Sequence, residues 1–242
     1  MKAIIVGLLV LALGGCAASK GFDRGALRGS LGQTVTDQDI QSVLDLKPQL
    51  SSPFKLAIYL HSPETYYRKA FWTDVEKNAL LAFGNQLKDA GVVSNIYLVS
   101  DATVQLGHQL GSSNYGANLK DLRLAAARYG AEALLIVNNA SSVDRYNNPA
   151  AFFYWTIIGA YLVPGTHSDA LVMIKASLWD VRNEYLYATE EAEGIAKRIG
   201  PALVLEDGDS IDQAKKIAIE DFGKKFTDRL IRLDAKKPKT FQ

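Results

Sequence analysis

Two hydrophobic periodicities alternate through the middle of this chain, and that alternation fixes the class of fold open to it. Residues 54–60, Phe-Lys-Leu-Ala-Ile-Tyr-Leu, form a compact apolar run between Pro53 and His61-Ser62-Pro63. Such a run reads as a buried strand. Trp72, Val75, Ala79, Phe83, Leu87 and Ala90 then recur at helical spacing, and Gly91 supplies a stop. A second strand is expected over 95–100. Asn118 is placed to cap a helix with Leu119, Leu122, Ala126 and Tyr129 on one side and Gly130 at its end, before a third strand over 133–138. Strand, helix, strand, helix, strand predicts an α/β (α+β) fold, a single mixed sheet with helices packed on it.

The second half changes character. Residues 171–179 and 185–190 are strand-like runs separated by Asp180-Val181-Arg182-Asn183-Glu184, which predicts an antiparallel hairpin at one side of the sheet. Ser210 and Gln213 have capping-box spacing for a final helix, with Ile211, Ala214, Ala218, Phe222, Phe226, Leu230 and Leu233 as its buried stripe. Residues 101–117, with Gly107, Gly111 and Gly116, read as a long loop of a kind that is often functional. These elements predict one α/β domain over 54–233, followed by a frayed basic tail, 234–242.

The amino terminus carries a different message. Lys2 is followed by a short apolar run, 3–13, ending in Gly14-Gly15 and then Cys16, the chain's one cysteine. A membrane-spanning helix needs about 20 apolar residues, so 1–15 reads as a secretory signal peptide. Leu13-Gly14-Gly15-Cys16 resembles the bacterial lipobox, in which the cysteine is acylated and becomes the new amino terminus. The alternative is an ordinary small residue beside a cleavage site. A lone cysteine in an exported protein has no intramolecular partner, and acylation removes a thiol that would otherwise be open to oxidation. The membrane is therefore an expected partner through lipid on Cys16, and Ala17 in place of aspartate points to the outer membrane, facing the periplasm. Residues 16–53 read as a lipidated tether rich in Gly and Ser, with a short helix around Thr36, Asp39, Ile40, Val43 and Leu44.

Loss of 1–15 leaves 26 basic residues against 26 acidic ones. That balance gives no electrostatic footprint for nucleic acid.

The order of elements, with residues 124–137 (Leu-Ala-Ala-Ala-Arg-Tyr-Gly-Ala-Glu-Ala-Leu-Leu-Ile-Val) and 178–187 (Leu-Trp-Asp-Val-Arg-Asn-Glu-Tyr-Leu-Tyr), resembles a group of bacterial envelope lipoproteins. Their periplasmic domain is similar to the amino-terminal domain of TolB, and the group includes the curli secretion lipoprotein and the activators of penicillin-binding proteins. The resemblance covers about 54–232, with Arg182-Asn183 where the group usually has Thr-Gly. Within it, the lipobox, Asp144-Arg-Tyr-Asn-Asn-Pro149 and Ile158-Gly-Ala-Tyr-Leu-Val-Pro-Gly165 look most like the rhombotarget lipoproteins. That family implies processing by a rhomboid-type protease at a carboxy-terminal Gly-Gly, apolar and basic tail. Residues 234–242 have neither a Gly-Gly pair nor an apolar span.

The most unusual internal segment is 150–163, an uncharged run holding Phe152, Phe153, Tyr154, Trp155, Ile157, Ile158 and Tyr161 between Pro149 and Pro164. Two readings are open. One is a membrane-inserting arm, since about 9–11 residues suffice for a strand crossing; by analogy with the curli secretion lipoprotein it would assemble into an oligomeric pore. The other is a buried or surface-docked segment that covers the sheet or contacts a partner, and it is favoured because transmembrane strands alternate apolar with polar residues and this run barely does. Phe152, Phe153, Tyr154, Trp155 and Tyr161 are the candidate partner-binding or membrane-contacting residues.

No catalytic constellation, metal site or cofactor motif emerges. His61, His108 and His167 are far apart, no second cysteine completes a soft metal site, and no nucleophile elbow or phosphate-binding glycine loop is present. Glu190, Glu191 and Glu193 read as a solvated edge, and Asp144-Arg145-Tyr146 as a salt-bridged turn after a strand. The sequence thus points to a non-enzymatic binding or assembly accessory of the cell envelope, its partner an envelope protein or a second copy of itself. An oligomeric pore and an envelope hydrolase are the competing readings.

Overall fold

The computed structural model describes residues 19, 21–25, 43–61, 64–65, 68–69, 72–105 and 118–235. The expected signal peptide with Cys16, most of the expected tether with Thr36, Asp39 and Ile40, the 106–117 stretch with His108, and 236–242 lie outside the described residues.

Strand β1 (Phe54–Leu60) matches the expected run, and β2 (Val93–Val99) and β3 (Ala133–Asn147) flank it in parallel. Leu56 sits opposite both Ile96 and Ala133. Strands β4 (Thr166–Asp180) and β5 (Leu186–Gly200) complete one open sheet in the order β2-β1-β3-β4-β5. A five-residue link between β4 and β5 leaves only an antiparallel pairing, because a parallel one needs a crossover of a dozen residues. The Asn148 N–H donating to Gly165 O (2.8 Å) and Thr166 Oγ1 donating to Asn147 Oδ1 (2.9 Å) show β3 and β4 running antiparallel as well. The sheet is mixed.

Among the described residues five helices accompany it: α1 (Asp74–Asp89), α2 (Asp101–Gln105), α3 (Leu119–Arg128), α4 (Ile157–Leu162) and α5 (Asp207–Ala235). Helix α1 starts at a capping box between Thr73 and Glu76, and α3 at the Asn118 side chain, which accepts from the Asp121 N–H. Both end where expected, at Gly91 (φ 73°) and Gly130 (φ 70°), which adopt the left-handed conformation that side chains resist.

The chain divides into two compact units. Of the described residues the larger holds those between 43 and 140, 174–192 and 219–235. Alternate residues of its strands feed opposite layers. Ala57, Tyr59, Leu134 and Ile136 pack with Leu122, Ala125 and Ala126 of α3. On the other face Leu56, Ile58 and Leu135 line a narrow apolar crevice with Leu80 and Leu87 of α1 and Phe222 and Phe226 of α5. Full burial of each large side chain contributes about 1.5–3 kcal/mol. The hairpin turn is tied down from two sides. Arg123 donates to Val181 O (3.0 Å) and pairs with Glu184, and Tyr187 Oη accepts from the Gln49 and Leu50 N–H groups (2.7 and 2.8 Å) while donating to Asp180 (2.8 Å).

Of the described residues the smaller unit holds 19, 21–25, 141–173 and 193–218: the outer ends of the three long strands, the 149–163 segment and the start of α5.

Several expectations are corrected. Strand β3 runs to Asn147, because Asn138 and Asn139 are buried within the strand instead of marking its end. Asp144-Arg145-Tyr146 is therefore strand, not turn. Strand β5 extends through Gly200 on buried Ala188, Ala192 and Ala196 alternating with outward polar residues. Helix α5 begins at Asp207, so Ser210 caps nothing; it is fully buried, and its Oγ has no partner among the described residues. Leu233 is exposed at the far end of that helix, and Val75 faces solvent, the buried face of α1 being Leu80, Gly84 and Leu87. Residues 101–105 of the expected loop are helix α2.

Candidate functional site

The segment between β3 and β4 is neither a strand nor covered. Asn148 begins it: its backbone N–H reaches Gly165 O, its Oδ1 accepts from the Ala150 N–H (2.9 Å), and its Nδ2 donates to Pro164 O (3.2 Å). Pro149 follows at the first position of a 3-10 turn, Pro149–Trp155, where a missing N–H costs nothing. Thr156 ends that turn and starts α4, its Oγ1 accepting from the Gly159 N–H (3.0 Å). An insert therefore leaves and re-enters the sheet at adjacent points.

Tyr154 holds the insert closed from within. Its hydroxyl accepts from the Gly165 N–H (2.7 Å), lies 3.0 Å from Thr166 Oγ1 and donates to Val163 O (3.1 Å). Gly165 is packed so closely on Ala151 that a Cβ there would fall 2.6 Å from the Ala151 nitrogen. The base of the insert is built, not loose.

Its outer surface is bare. Trp155 is 81% exposed, Ile157 78% and Leu162 73%, and Phe152, Phe153, Ile158 and Tyr161 are each more than half exposed. Seven large apolar side chains exposed within residues 152–162 exceed the scattered single ones that are ordinary on a monomer's surface. The Leu203 N–H donates to Ala160 O (3.3 Å), which brings the 201–205 turn against the insert and adds exposed Leu203 and Val204. Four of the five candidate contact residues, Phe152, Phe153, Trp155 and Tyr161, lie on this surface; Tyr154 is the inward support.

Behind the insert lies a polar layer on the same strands. The Tyr146 ring stacks on His167 (centroids 4.6 Å, planes 7° apart), and its hydroxyl donates to Asp169 Oδ2 (3.3 Å), which Lys197 also approaches (3.6 Å). Partial desolvation, then the Asp169 charge and hydrogen bond, then the Asp144 charge push the Tyr146 phenol above its ordinary pKa. Asp169 Oδ1 is buried without a partner among the described residues. Ser168 and Arg145 both reach Asp207 (2.8 and 3.2 Å).

Asp144 holds two residues near the amino terminus. Its Oδ2 accepts from Ser19 Oγ and from the Gly21 N–H (3.0 Å), and Arg24 pairs with Glu193 (3.2 Å). Ser19, Gly21 and Arg24 fall in the segment expected to be a tether.

No protein-family model matches the chain, and no curated protein matches it either. It is similar to the solved LpoB C-terminal domain from Salmonella enterica, at 13% identity over 60% of this chain and 84% of that one, TM-score 0.31. A minor lipoprotein from Acinetobacter baumannii is similar at 11% identity over 75% and 92%, TM-score 0.35. Lipoprotein GNA1162 from Neisseria meningitidis is similar at 15% identity over 76% and 100%, TM-score 0.28. Bacterial lipoproteins are thus among the structures this chain resembles. Likeness this distant transfers no residue role.

The remaining sequence candidates do not assemble chemistry. Among the described residues no group of three His, Cys, Asp or Glu side chains is arranged to hold a metal ion. His167 is engaged with Tyr146 and Asn148, and the His61 ring lies 6.4 Å from Tyr59. Glu190 pairs with Arg229 and Glu193 with Arg24, while Glu191 is exposed, so the acidic run is an ion-paired strand edge. Among the described residues no helix is long and apolar enough to cross a membrane. Sequence reasoning missed Asp144 as the dock for 19–21, a contact across 123 residues, and missed Leu203 and Val204, an isolated apolar pair with no periodicity.

Proposed function

We propose that this protein is an outer-membrane lipoprotein, anchored by acyl chains on Cys16 and facing the periplasm, that acts as a binding or assembly accessory in the cell envelope and not as an enzyme. One observation carries the reading: an uncharged insert with a hydrogen-bonded base turns seven large apolar side chains outward. A soluble domain gains nothing from that arrangement unless something covers it, because each exposed side chain forgoes about 1.5–3 kcal/mol of burial. The helical form of the insert speaks against a pore arm, which would need alternating strands.

Two measurements test this. The intact mass of the mature amino-terminal peptide should show acylated Cys16; an unmodified cysteine removes the anchor. A photo-crosslinking residue at Phe153, activated in intact envelopes, should form discrete adducts that the same residue at exposed Val75 does not. Absence of both protein and lipid adducts at Phe153 would remove the insert as the contact surface.

A further inference from the structure

The occupant of the insert follows from where the anchored end of the chain is held. Ser19 and Gly21 are both bound by Asp144, and Arg24 by Glu193. Cys16 precedes Ser19 by three residues, which span at most about 11 Å fully extended. Asp144 precedes Pro149 by five residues, about 17 Å along a strand at roughly 3.3 Å per residue. An acylated Cys16 is therefore leashed to within about 30 Å of the root of the insert. The bilayer that takes the acyl chains lies beside this end of the smaller unit.

The chemistry of the surface matches that neighbour. Residues 146–168 contain no Asp, Glu, Lys or Arg. A protein interface usually surrounds its apolar core with a polar rim. The lipid interface instead takes aliphatic side chains with Trp and Tyr at headgroup depth, which is what Ile157, Ile158, Leu162, Trp155 and Tyr161 offer. We infer that the insert seats in the lipid interface next to the chain's own acyl anchor, as a second, shallow membrane contact that fixes how the domain faces the periplasm. This rests on the proposal that Cys16 is acylated and the insert is a contact surface. Trp155 reports it, since Trp72 is buried and Trp179 is partly buried with its Nε1–H on Ser177 (2.7 Å).

The test is fluorescence of the full acylated chain in phosphatidylethanolamine–phosphatidylglycerol vesicles containing brominated phosphatidylcholine. Brominated lipid should quench a distinct part of the emission, acrylamide access to that part should fall several-fold relative to the chain in detergent, and Trp155→Phe should remove both effects. Emission untouched by brominated lipid, with full acrylamide access, overturns the lipid assignment. If that result accompanies protein adducts from the Phe153 crosslinker, the contact surface stands and its occupant is a protein. If no Phe153 adduct forms either, both readings fall.

Discussion

Replacing Tyr154 with phenylalanine isolates what holds the insert in shape. The substitution keeps the ring and removes one hydroxyl, which accepts from the Gly165 N–H at 2.7 Å and donates to Val163 O at 3.1 Å. Gly165 is buried, so its N–H is left with only the local Val163 O, two residues back, at 2.9 Å. Orphaning a buried donor costs about 1–3 kcal/mol, and the surviving contact puts this case in the lower half, about 1–2 kcal/mol. That multiplies the open population of the insert by roughly 5–30. Native-state hydrogen exchange by mass spectrometry should show amides of 154–166 exchanging faster by that factor, while 74–89 in α1 exchange as before. Unchanged exchange across 154–166 would refute the idea that the phenol clamps the insert, and equal acceleration in α1 would show a global effect instead.

Three further outcomes are expected. Asp144→Ala should free the residues docked on its carboxylate, so that trypsin cuts after Arg24 several-fold faster while far-ultraviolet circular dichroism is unchanged. Phe222→Ala should cost about 3–5 kcal/mol in urea unfolding, since its ring is fully buried and stacked on Phe226. Burial, helped by hydrogen bonding to Asp180, pushes the Tyr187 phenol up to about 12, against the opposing Leu50 and Gln49 N–H groups. A raised acid pKa gives stability that is complete below the unfolded value near 10 and is lost as pH rises toward about 12, so urea midpoints should fall across that window and Tyr187→Phe should flatten the fall.

The layered order of strands and helices was legible because its signals are local. Proline and histidine bound β1, and Gly91 and Gly130 stop α1 and α3, all within a few residues of the element concerned. The long strands were only half legible. Asn138, Asn139 and Asp144 are polar yet buried in β3, and the Ala- and Glu-rich 188–196 of β5 has helix-forming composition in a strand. Cap spacing of Ser210 and Gln213 places the start of the final helix four residues late, while tertiary packing buries Ser210 inside the helix. The aromatic run of 150–163 stood out in the sequence, but composition alone does not separate a covered apolar segment from an exposed one. That distinction came from the 3-10 turn and α4, whose short turns point their side chains away from the sheet. Asp144 could not be read as a dock, since no pattern links it to Ser19 across 125 residues.

The account stands on the insert being covered where the protein works. An Ile157→Cys variant gives the direct measurement, because the single native cysteine, Cys16, is occupied by lipid in this account and leaves the new thiol as the one reactive site. Labelling by a membrane-impermeant maleimide should be rapid in the purified, detergent-dispersed protein, as the 78% exposure of Ile157 requires, and strongly suppressed in osmotically opened envelopes in which a Val75→Cys control still labels. Equal labelling in both would contradict the account.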